Sequence, residues 1–238
     1  MSAEEKKKAQ QLRAYQARQV HHAHVATRRR KDQFVWSAAA VAAVVVASLS
    51  LWGYQTIGPG APTVAPDISI AENRSWTGTL QLDQATIGFE VDGQLAPQAV
   101  ANVVSLTREG FYDNLTCHRL TTDGLYVLQC GDPLGLGLGG PGYFFGPIEN
   151  APADNFYPAG TIAMARASGD AESMGSQFFL VYEDSVIPAD SAGGYTVFGQ
   201  ITDGLDGLIE AYVTPGTIDG SPDGIPATVP IIETITIQ

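Results

Sequence analysis

From residue 75 onward, apolar and polar positions alternate in short runs separated by turn residues. "WTGTLQLDQATIGFEV" (76–91) is two such runs broken at Asp83 and Gln84, the pattern of a β-hairpin. "APQAVANVVSLTREG" (96–110) changes period. There Ala99, Val100, Val103, Val104 and Leu106 fall on one helical face, Pro97 suits the first turn and Gly110 ends it. "CHRLTTDGLYVLQCGD" (117–132) reads as two strands joined by a polar turn, and a long Gly-rich loop follows. "GTIAMARA" (160–167), "SQFFLVYE" (176–183) and "YTVFGQIT" (195–202) are strand-like. "DGLDGLIEAYV" (203–213) returns to helical spacing through Leu205, Leu208, Ile209 and Tyr212, and "PIIETITIQ" (230–238) is a last alternating strand. Many short strands with two helices predict a mainly β fold, a closed antiparallel barrel without exposed edges.

Upstream the pattern is different. Residues 34–54, "FVWSAAAVAAVVVASLSLWGY", carry no charge. As a helix rising ~1.5 Å per residue, this run extends roughly 31 Å, about one bilayer core. Trp36, Trp52 and Tyr54 lie near its ends, where amphipathic rings favour the membrane interface, and "RRRK" (28–31) abuts its N-terminal side. The expectation is a single transmembrane signal anchor over 34–54, preceded by a basic cytoplasmic head (1–33) and followed by an extracytoplasmic region. A cleaved signal peptide is the alternative. Residues 55–74, rich in Gly, Pro and Ala, read as a tether, which leaves 75–238 as the folded domain.

Charge sharpens this division. The formal net charge is -12, yet every lysine lies at or before Lys31. Beyond it the only basic side chains are Arg74, Arg108, Arg119 and Arg166. So acidic a domain offers no patch to neutralise phosphates, which argues against nucleic acid as partner. "HHAH" (21–24) lacks the further ligands that would complete a metal shell. "GLGLGG" (135–140) matches G-x-G-x-x-G in form, but Pro141 and Gly142 follow, so no helix can begin where dinucleotide binding requires one. His118 is the only histidine after residue 24, and alternation turns it away from Arg119, which disfavours a hydrolytic triad.

Arg119 and Gln129 interrupt apolar strands. A guanidinium beside Leu120, Val127 and Leu128 requires either a partner or a task. The structural solution is a carboxylate such as Asp132, and this stretch alone favours it. The functional solution is a shared groove that binds a polar substrate. If Arg119 and Gln129 share a face, alternation puts Cys117 on it and Cys130 on the other, which disfavours a disulfide unless a bulge intervenes.

"CHRL…VLQCGDP", "GGPGY", "GTIAMA", "GSQFFL" and "YTVFGQI" stand in the order found in the cyclophilin family of peptidyl-prolyl isomerases, and residues 76–238 resemble that family. The resemblance implies an eight-stranded closed antiparallel barrel capped by two helices, with the active site on its outer face. It places the family's catalytic arginine at Arg119, its glutamine at Gln129 and the phenylalanine flooring the proline pocket at Phe179. Ala165 matches the alanine lining the peptide groove. Tyr126 and Val127 stand at apolar pocket positions, Arg166 where Asn is common, and Tyr195 where His is usual. The family's cyclosporin-favouring Trp has no counterpart, so "SVIPADSAGG" (185–194) predicts weak or no cyclosporin binding. The implied substrate is a proline-containing polypeptide, secreted or belonging to the cell envelope, and the implied chemistry needs no cofactor or metal. A proline-peptide binding module with little turnover is the alternative.

Overall fold

The computed structural model describes residues 45–48, 50 and 64–238, and the chain divides into two units, residues 1–62 and 63–238. In the first unit the described residues, 45–48 and 50, are helical. Among the described residues no helix is long and apolar enough to cross a membrane. The remainder of the span expected over 34–54, the expected head (1–33) and residues 55–63 lie outside the described residues.

The second unit begins earlier than the alternation suggested. A short 3₁₀ turn at Ile68–Ala71 is capped by Asp67, whose side chain accepts from the Ser69 amide. The buried Trp76 then ties this turn to the sheet by donating its Nε1–H to the Ala71 carbonyl at 2.9 Å. Strands β1 (Ser75–Leu82) and β2 (Thr86–Asp92) form the predicted hairpin. Helix α1 (Pro97–Arg108) buries the predicted apolar face. It also buries Asn102, which donates to the Gly175 carbonyl and accepts from the Tyr143 hydroxyl. The carboxylate of Glu149 accepts from the amides of Gln98 and Ala99 and satisfies the N-terminus of α1.

After α1 come β3 (Arg119–Thr121), β4 (Val127–Cys130), β5 (Phe156–Tyr157), β6 (Thr161–Met164), β7 (Phe178–Val181), β8 (Ser185–Val186) and β9 (Val197–Asp203). Helix α2 (Leu205–Leu208) passes directly into a π-helical turn (Ile209–Val213), and β10 (Asp223–Gly224) and β11 (Ile232–Ile237) complete the chain. Nine strands pair antiparallel in the order β10-β3-β4-β7-β6-β9-β2-β1-β11; β5 and β8 form a separate two-stranded ribbon.

This overturns the eight-stranded closed barrel: the sheet is curled but open. Its last strand, β11, is met by the segment leading into β3, where the Asn114 amide donates to the Ile232 carbonyl and the Cys117 amide to the Pro230 carbonyl. Only an isolated bridge between Thr116 and Ile231 forms there. Asn114 adopts a left-handed φ of 66°, and the chain regains strand geometry only at Arg119, so no ladder can run across the seam. The caps are also one regular helix and a mixed α/π turn, not two α-helices. The alternation specified the strands but carried no information on whether the sheet's two ends meet.

The main core lies inside the curl and joins the inner faces of the strands to α1. Strands β6 and β7 are buried along their whole length, because a second apolar cluster, Val127, Tyr157, Ala163, Phe179, Val181 and Ile187, covers their outer face.

Candidate active site

Register across the centre of the sheet decides which side chains meet. Leu120 lies opposite Leu128, Leu128 opposite Leu180 and Leu180 opposite Ile162. All four are buried in the main core. One residue along, Arg119 lies opposite Gln129, Gln129 opposite Phe179 and Phe179 opposite Ala163. Because successive side chains point to opposite faces, this second row stands on the outer face. The polar interruptions in the two strands are therefore one continuous row with the phenylalanine beside it.

Above this row opens a pocket lined by Arg119, Val127, Gln129, Ala165, Arg166, Phe179 and Tyr195, together with Leu125 and Ile187. Seven of the eight sequence-predicted site residues converge there. Tyr126 does not: it shares the inward phase of Leu128, packs against the main core and meets Tyr182 edge to face at 5.9 Å. Leu125, one residue earlier, takes the pocket position. Period-two alternation, carried back from Gln129 through Val127, was enough to choose Leu125 over Tyr126. Ile187 carried no such signal, since it follows the two-residue strand β8.

Apolar and polar walls have separate origins. Phe179 is almost fully buried and meets the Tyr195 ring edge to face at 5.5 Å. The Tyr195 amide donates to the Tyr157 hydroxyl. Arg166 lies over the outer side of the Tyr195 ring, 4.7 Å from its centroid. Its guanidinium turns away from the groove. It donates to both oxygens of Asp190 at 2.9 Å and to the carbonyls of Ala167, Gly193 and Gly194. Arg166 thus shapes the pocket by bracing the 190–195 segment.

Arg119 stands at the rim, its side chain 40% exposed. Its Nε–H and one Nη2–H donate to the two carboxylate oxygens of Asp223, both at 2.7 Å, and Nη1 donates to Gln129 Oε1 at 3.3 Å. Gln129 in turn donates to Gln177 Oε1, and Gln177 to the Gly139 carbonyl, so one polar chain runs from Asp223 to the Gly-rich loop. Donating to Asp223 pushes the Arg119 pKa up, and Arg119 holds the Asp223 carboxyl below its usual value. Sequence reasoning missed both Asp223 and Gln177; a carboxylate 104 residues away leaves no local signal.

Asp132, the expected partner of Arg119, has another role. It accepts from the amides of Leu134, Leu136, Gly137 and Leu138 and knots the start of the Gly-rich loop. Burial opposes its charge, yet these amides together keep its pKa low. The ring nitrogens of His118 are buried without hydrogen-bond partners, and burial depresses its pKa, so it forms no part of a triad. Cys117 and Cys130 are joined in a disulfide inside the core, against the alternation argument. The alternation breaks at residues 117–118, which precede the regular strand and let Cys117 join Leu120 in the core.

Residues 78–233 match the model of the family described as Cyclophilin type peptidyl-prolyl cis-trans isomerase/CLD. A relative in Mycobacterium leprae, a probable peptidyl-prolyl cis-trans isomerase B, is 40% identical over 68% of this chain and 57% of its own length. The like-named Mycobacterium tuberculosis protein is 42% identical over 66% of this chain and 52% of its own length. The chain thus spans about half the length of these relatives. A peptidyl-prolyl cis-trans isomerase B of Bacillus subtilis is 42% identical over 55% of this chain and 86% of its own length. Among solved structures, a Cryptosporidium parvum cyclophilin type isomerase crystallised in the presence of the dipeptide Ala-Pro is 28% identical. It aligns with a TM-score of 0.57 over 68% of this chain and 98% of its own.

Proposed function

The chain belongs to the cyclophilin-type peptidyl-prolyl cis-trans isomerase family, and from that premise we propose that it catalyses cis-trans isomerisation of X-Pro bonds in polypeptides. The observation that carries the reading is the row Arg119–Gln129–Phe179, which sets a cation with uncommitted N–H groups beside an apolar pocket.

The imide bond resists rotation by ~18–20 kcal/mol because the nitrogen lone pair is conjugated with the carbonyl. Phe179, Val127, Leu125 and Ile187 hold the proline ring by apolar contact while the carbonyl swings. At the twisted geometry conjugation is lost and the nitrogen can accept a hydrogen bond. Three of the five N–H groups of Arg119 are engaged by Asp223 and Gln129, which leaves one on each terminal nitrogen to donate. That bond exists only in the twisted state, so it lowers the barrier instead of merely tightening binding. Gln129 holds the guanidinium from the other side and faces the backbone next to proline. No covalent step and no titrating base enters.

The reading includes location and ligands. A disulfide buried in the core supports folding in an oxidising compartment outside the cytoplasm, on clients that are secreted or belong to the envelope. With no tryptophan after Trp76, the 185–194 segment supports weak cyclosporin binding at most.

The test is exchange spectroscopy of an X-Pro peptide with the full chain. Accelerated exchange that collapses in Arg119→Ala is the expected result. Binding without acceleration would favour the proline-peptide binding module, and acceleration undiminished in Arg119→Ala would refute the mechanism.

A further inference from the structure

Asp223 heads the polar chain but takes no direct part in the chemistry above, and its placement is elaborate. Strand β10, only two residues long, pairs with β3, with Asp223 opposite Thr121 and Gly224 opposite Leu120. The carboxylate is therefore mounted on the strand paired with the one that carries the arginine it grips. The loop before it is tied down in turn. Thr122 donates its amide to the Pro222 carbonyl, Ser221 Oγ donates to the Asp223 carbonyl, and Thr217 Oγ1 donates to the Ser221 carbonyl.

We propose that Asp223 is a positioning residue that holds Arg119 ready for the prolyl nitrogen. The inference rests on the isomerase reading. An arginine side chain this exposed, left alone, samples many rotamers and must be ordered afresh at each turnover. Two parallel bonds from a fork to a carboxylate fix its plane as well as its position. They occupy the Nε edge and leave each terminal nitrogen a hydrogen for the pocket. Asp223 touches neither pocket nor substrate; it is absent from the pocket lining and acts through Arg119.

The test compares Asp223→Ala, Asp223→Glu and the double variant Arg119→Ala/Asp223→Ala in the full chain, with folding checked by circular dichroism. In Asp223→Ala, kcat falls about tenfold while KM stays within about twofold, since misplacing a donor by a fraction of an ångström weakens only the transition-state contact. Asp223→Glu restores part of the loss. In the Arg119→Ala background the Asp223 substitution costs nothing more. Should Asp223→Ala fail to fold, Asp223→Asn keeps the shape, loses the charge and must show the same kcat-specific loss. Activity unchanged in Asp223→Ala overturns the assignment and leaves the isomerase reading intact. Higher activity overturns it as well, because the carboxylate would then be restraining the arginine. An equal loss with or without Arg119 marks a merely structural role. A wild-type chain that does not accelerate exchange sinks the isomerase reading and this assignment together.

Discussion

Arg119 and Arg166 each grip an aspartate through two parallel hydrogen bonds, and both line the same pocket. They differ in what is left over. The Arg166 side chain is 1% exposed and all five of its N–H groups are engaged, two by Asp190 and three by backbone carbonyls. Arg119 is 40% exposed and keeps two N–H groups in reserve. A guanidinium with every donor occupied is a building element; one with donors free at a pocket's edge can act on what enters it. Sequence shows two arginines near apolar strands, and only the hydrogen-bond inventory separates their roles.

The largest effect that would break this contrast is on catalysis. Arg119→Ala should lower kcat/KM by about 10²–10³, the usual cost of deleting one preorganised donor. Its stability should change by less than about 1 kcal/mol, because exposed ion pairs contribute little. Exchange spectroscopy and urea unfolding of the same preparation check both halves. Arg166→Ala should behave in the opposite sense. Losing a buried guanidinium and leaving carbonyls unpaired should cost about 2–3 kcal/mol in urea unfolding. Arg166→Lys should not recover it, since an ammonium cannot span five acceptors in one plane.

Acid titration sharpens the comparison further. Hydrogen bonds from Arg166 hold Asp190 far below the ordinary carboxylate range, and Arg119 lowers Asp223. A carboxylate depressed on folding adds stability that is present above its unfolded pKa of about 4 and is lost as pH falls through the folded value. Thermal midpoints followed downward from pH 5 should therefore drop, and Asp190→Asn should flatten that limb more than Asp223→Asn. The smallest effect is that of salt. Raising ionic strength from about 0.1 M to about 1 M shortens screening to about 3 Å. The stability difference between wild type and Asp223→Ala should shrink, while that between wild type and Asp190→Asn persists.

Much of the site was legible because alternation and motif order act locally. Motif order put Arg119 and Gln129 in one groove, and period two, carried back along β4 from Gln129, would have moved Tyr126 off the pocket and Leu125 onto it. Where the rule was trusted across an irregular segment it failed: Cys117 precedes the regular strand, so the face assigned to it was wrong and the disulfide was missed. Whether the sheet's ends meet and the grip of Asp223 both depend on contacts between residues distant in sequence. No local pattern encodes them, and the strands β5, β8 and β10, two residues each, are too short to carry a period at all.

Because Arg119 and Leu120 are neighbours on opposite faces of one strand, chemistry and folding share a single phase along β3 and β4. Deleting or inserting one residue between Arg119 and Thr121 would not just shift the rim guanidinium. It would turn a leucine out into the groove and drive a guanidinium into the hydrocarbon interior. Length changes in these two strands are thus forbidden twice over, and an evolving lineage could adjust the groove's reach only through the loops that border it.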